Sequence, residues 1–189
     1  MDIHLVRRKF QTTGNIFINT NPNVDISHVP YSLQQESLNS IDMLLYLTTA
    51  VDFALEGHIL EIKGQKWIVF EKFKEVVNTQ LYEYKLFPVT DILMVRFLNI
   101  ETNALGKINS PGVGLEKVVN CFVDTRGLKE RSVPSLQPLE AIQQIFYVAR
   151  YEIPEDTVPY EIYYQGQKYK IDSTEKIIGA VKLRLTEDK

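Results

Sequence analysis

The chain repeats itself, and the repeat limits its fold more than any single residue does. Asp2-Ile3-His4-Leu5-Val6-Arg7 returns as Asp91-Ile92-Leu93-Met94-Val95-Arg96, a shift of 89 residues from 2 to 91. Each copy then runs on to an Ile-Asn pair and a proline: Ile18, Asn19 and Pro22, then Ile108, Asn109 and Pro111. Near the far end, Ile62-Lys63-Gly64-Gln65-Lys66-Trp67 is answered by Tyr164-Gln165-Gly166-Gln167-Lys168-Tyr169, a shift of 102 from 64 to 166. Matched ends in the same order point to a tandem duplication, with the growth in the shift read as an insertion in the middle of the second copy. The expected division is residues 1–88 and 89–189, two units each large enough to bury a core without a metal or disulfide.

The local pattern is that of antiparallel sheet. His58-Ile59-Leu60-Glu61-Ile62 and Lys66-Trp67-Ile68-Val69-Phe70 flank a tight turn at Gly64. Glu161–Tyr164 and Lys168–Ile171 do the same around Gly166. Glycine suits such a turn because a tight hairpin requires a positive φ. The closing segments alternate: Val181, Leu183 and Leu185 against Lys182, Arg184 and Thr186, and Tyr82, Tyr84 and Leu86 against Glu83 and Lys85. One wet and one dry face is the mark of antiparallel strands. In the middle, Ile41, Leu44, Leu45 and Thr48 fit a helical face, so Ser40–Leu55 reads as a helix. Its counterpart from Leu139 runs into Phe146–Ile153, read as a strand ending at Pro154. A short helix or irregular stretch feeding a strand is therefore expected in each copy.

Thr20–Ser40 and Thr102–Pro138 are rich in Asn, Pro, Ser and Gly and read as long loops. The second holds the charged run Thr125-Arg126-Gly127-Leu128-Lys129-Glu130-Arg131, a solvated loop on the plain reading and a docking arm on the sharper one. Phe87-Pro88-Val89-Thr90 leaves little slack between the copies.

Chemistry leaves few traces. Cys121 is the lone cysteine, set among valines and phenylalanine, which excludes an internal disulfide and points to a buried thiol. The three histidines His4, His28 and His58 lack metal-ligand spacing, Gly112-Val113-Gly114 lacks the third glycine of a dinucleotide loop, and Gly106-Lys107 lacks the rest of a phosphate-binding loop. Catalytic, cofactor-binding and metal-binding residues are accordingly expected to be none. A net charge of −3 gives no support to a nucleic-acid grip. No apolar run long enough for a signal peptide or membrane span is seen, so a cytoplasmic site of synthesis is expected.

The second copy resembles the head closure, or stopper, proteins that join head to tail in tailed bacteriophages. The residues that carry the resemblance are the opening Val95-Arg96-Phe97, the middle Arg150-Tyr151-Glu152-Ile153-Pro154, the hairpin Tyr163-Tyr164-Gln165-Gly166-Gln167-Lys168-Tyr169-Lys170-Ile171 and the closing Lys182-Leu183-Arg184-Leu185. The first copy matches at Leu5-Val6-Arg7-Arg8 and Gly64-Gln65-Lys66-Trp67-Ile68, with Thr49-Ala50-Val51-Asp52 in place of the Arg-Tyr-Glu-Ile segment. Members usually carry one such domain, and here there are two. The resemblance implies a mainly β protein of two small antiparallel β-barrels with long loops. It implies no enzyme activity and no cofactor. Its setting would be the virion neck, assembled in the host cytoplasm, where a homo-oligomeric ring under the portal or adaptor closes the DNA channel and receives tail proteins. Six chains would present twelve barrels around DNA that is enclosed rather than bound by sequence, with no membrane involved. Within that setting, Thr125, Arg126, Lys129, Glu130 and Arg131 are the expected interaction residues, and Gly64 and Gly166 the hairpin turns. A tail terminator, tail-completion or baseplate component is the alternative. A tandem-barrel nucleic-acid module and an adaptor with no viral link are the others.

Overall fold

The computed structural model describes residues 12–19, 24–35, 45–49, 52, 56–74, 81–99, 112–124, 144–154 and 157–188. The chain forms two compact units, Met1–Val89 with Ile178–Ala180, and Thr90–Ile177 with Val181–Lys189. The described residues are almost all strand. The first unit holds β1 (Thr12–Asn19), β2 (Val24–Gln35), β3 (Leu45–Thr49), β4 (Ile59–Ile62), β5 (Gln65–Lys74) and β6 (Tyr82–Pro88). The second holds β7 (Asp91–Asn99), β8 (Gly112–Asp124), β9 (Gln144–Ala149), β10 (Thr157–Tyr164), β11 (Gln167–Lys176) and β12 (Ala180–Glu187).

The first unit is a closed six-strand barrel in the order β1-β2-β3-β6-β5-β4 and back to β1. The second curls through the same cycle, β7-β8-β9-β12-β11-β10 and back to β7. Strand for strand the two orders coincide, so the duplication is one of topology. Both central hairpins turn on two residues of positive φ, Lys63 (53°) with Gly64 (76°) and Gln165 (49°) with Gly166 (80°). That is the turn whose twist matches its flanking strands. A β-bulge is also duplicated: register slips between Val69 and Glu71 in β5, and between Ile171 and Ser173 in β11.

The cores follow the alternation. Leu47, Leu60, Val69, Tyr84 and Leu86 are buried in the first unit, and Leu93, Val95, Phe97, Phe146, Leu183 and Leu185 in the second. Lys182 and Thr186 are half-buried and Arg184 is exposed. Cys121 is a free, fully buried thiol whose pKa burial pushes far up, as expected of a structural thiol.

Hydrogen-bond register corrects the opening of the repeat. Leu60 faces Ile18, and its counterpart Ile162 faces Val95. The first strands are therefore related by a shift of 77, from 18 to 95, and Ile16 rather than His4 stands where Leu93 does. Residues 2–7, whose sequence is like Asp91–Arg96, lie outside the described residues. The shift reaches 93 by the second strand, since Ile16 faces Ile26 and Leu93 faces Val119. Most of the extra length thus enters between the first and second strands.

Three local expectations also fail. Leu45–Thr49, placed in a helix by spacing, is a strand; among the described residues there is no α-helix, and Arg150–Glu152 forms a 3-10 turn instead of continuing β9 to Pro154. A short apolar run satisfies either period, and here the neighbouring strands β2 and β6 supply the ladder partners that decide. Both supposed loops contain a long strand, β2 within Thr20–Ser40 and β8 within Thr102–Pro138. Gly112-Val113-Gly114, which lacks the third glycine of a dinucleotide loop, begins β8.

Gly114 has a packing reason. It lies beside the slip between Arg96 and Leu98 in the β7–β8 ladder, where a Cβ would stand 1.5 Å from the Phe97 carbonyl oxygen. Gly166 faces open space and is required only for its φ. Gly166→Ala is expected to lower stability by about 1–2 kcal/mol, and Gly114→Ala by upwards of about 3 kcal/mol because backbone must move. Chemical denaturation of the two variants measures the difference.

Candidate interaction face

The outer surface of the second barrel is built by β8, β7 and β10 lying side by side. Leu93, Val95 and Phe97 point inward, so Ile92, Met94 and Arg96 point out. Val118 stands opposite Met94 on β8, and Tyr163 opposite it on β10. Val118 is 57% exposed and Ile92 56%, which leaves an apolar row facing solvent.

The next rung carries charge. Arg96 is paired across both ladders, with Glu116 on one side and Glu161 on the other. Its Nε donates to Glu116 Oε2 at 2.7 Å, and its Nη1 to Glu161 Oε2 at 2.9 Å. Lys168 Nζ reaches Glu161 Oε1 at 2.6 Å, and the Arg96 guanidinium lies 5.4 Å from the centre of the Tyr163 ring. These hydrogen bonds, first that to Glu116, hold Arg96 still more firmly protonated. Lys168, then Arg96, hold the Glu161 carboxyl below its ordinary value. Exposed pairs contribute little singly, but three cross-strand links hold four side chains in one arrangement.

Ladder positions in the first barrel provide a comparison. Asp25, Phe17 and Glu61 form the rung equivalent to Val118, Met94 and Tyr163. The same architecture is thus made with a carboxylate at each end of the rung in one copy and with apolar or aromatic groups in the other. The apolar ends are dispensable for the fold.

Beside this row the 3-10 turn is locked to β8. Glu152, buried, accepts from the Asn120 backbone N–H at 2.6 Å and from Asn120 Nδ2 at 2.7 Å, while Lys117 Nζ donates to the Glu152 carbonyl at 2.8 Å. Tyr164 donates its hydroxyl to Asp91 Oδ2 at 2.8 Å, and burial together with that bond pushes its pKa up. Of the residues singled out in the sequence, Gly64 and Gly166 are at the hairpin tips. Thr125, Arg126, Lys129, Glu130 and Arg131 lie outside the described residues. The row at Ile92, Met94 and Val118 was missed, although unbroken apolar runs, Ile92–Val95 and Val118–Val119, are a signal that both faces of a strand are apolar. Among the described residues no group of three His, Cys, Asp or Glu side chains is placed to hold a metal ion, and no helix is long and apolar enough to cross a membrane. No protein family, curated protein or solved structure matches the chain.

Two measurements test this geometry. Glu152→Ala leaves the half-buried Asn120 donors without their acceptor and is expected to destabilise the fold by about 1–3 kcal/mol, read by chemical denaturation. Because the Glu161 pKa is lower folded than unfolded, its contribution is complete above the ordinary value of 4.5 and is lost as pH falls through the folded value. NMR titration of Glu161 is expected to show a depressed midpoint that rises in Lys168→Ala.

Proposed function

We propose that this chain is a structural protein of a tailed-phage neck, assembling as a ring under the portal or adaptor, closing the DNA channel and offering the surface on which the tail docks. The observation that carries the reading is where the resembling motifs fall. Arg150–Pro154 is the 3-10 turn pinned to β8 and the residues that leave it. Tyr163–Ile171 is the tight hairpin, and Lys182–Leu185 lies in the closing strand of the same barrel. Each segment sits at a distinct structural corner of one domain, which supports a likeness of whole domain rather than of scattered strings.

The outer face adds a second support. A ring subunit needs one surface that its neighbours cover, and the exposed Ile92 and Val118 row is of that kind. The cations beside it, Arg96 and Lys168, are already paired with Glu116 and Glu161, so this face offers DNA little net positive charge. The proposed role is mechanical, with no reaction step: six chains present twelve barrels, and the portal or adaptor ring and tail proteins are the partners.

Electron microscopy of lysates from a virus lacking the gene is the test. Detached tails beside heads that packaged DNA and lost it are expected. Filled, stable heads with missing or malformed tails would move the protein to the tail side of the joint. Normal infectious particles would remove it from the neck altogether.

A further inference from the structure

We draw no further inference here: the strongest candidate, the apolar row of Ile92, Met94 and Val118 on the outer face of the second barrel, belongs to the face already described, and nothing in the structure shows what covers it.

Discussion

Everything in each barrel depends on the pairing of its first strand with its fourth. The neighbours in chain order make two three-strand meanders; the third and sixth strands join them on one side, and the ladder of Ile18 against Leu60, or Val95 against Ile162, closes the sheet on the other. This contact joins residues far apart along the chain, so the loop entropy it costs must be offset by the core it encloses. That core is the inward row of every strand at once, which is why Leu60 and Ile162, Tyr84 and Leu183, and Leu86 and Leu185 are buried at matching positions. Once closure is required, strand twist, paired bulges and a two-residue turn of positive φ follow as the means of achieving it.

The parts of this that could be read from sequence are those whose signal is local. Gly64 and Gly166 announce hairpins because no other residue type enters such turns freely, and β6 and β12 announce themselves by strict alternation. The second strands did not, for a physical reason. In β2 the ladder advances three residues from Ile26 to Val29 while β1 advances two from Ile16 to Gly14. The ladder therefore gains a residue at the bulge, which interrupts the period-two pairing within Val24–Gln35. In β8 the apolar residues on both faces hide alternation, and glycines needed for close approach resemble those of a loop. The repeat itself was legible, but its opening was matched to the wrong strand, because short apolar strings recur by composition and only hydrogen-bond register separates equivalence from likeness.

The face at Ile92, Met94 and Val118 shows how duplication separates fold from function. Two copies of one topology place Asp25 and Val118 at the same rung end, and both barrels form. Whatever holds the barrel together lies on the inward side, and the outward side is free to diverge. Sequence alone could not separate the two roles, since an outward valine and an inward valine look alike until a strand's phase is known.

The seam between β10 and β11 also bears on aggregation. Among the described residues their ladder stops at Ile162 opposite Tyr169, and beyond it β11 presents Lys170, Asp172, Ser173, Thr174, Glu175 and Lys176, all exposed. Charges of both signs along such a stretch penalise docking of any strand that does not answer them, a copy of itself in the wrong register included.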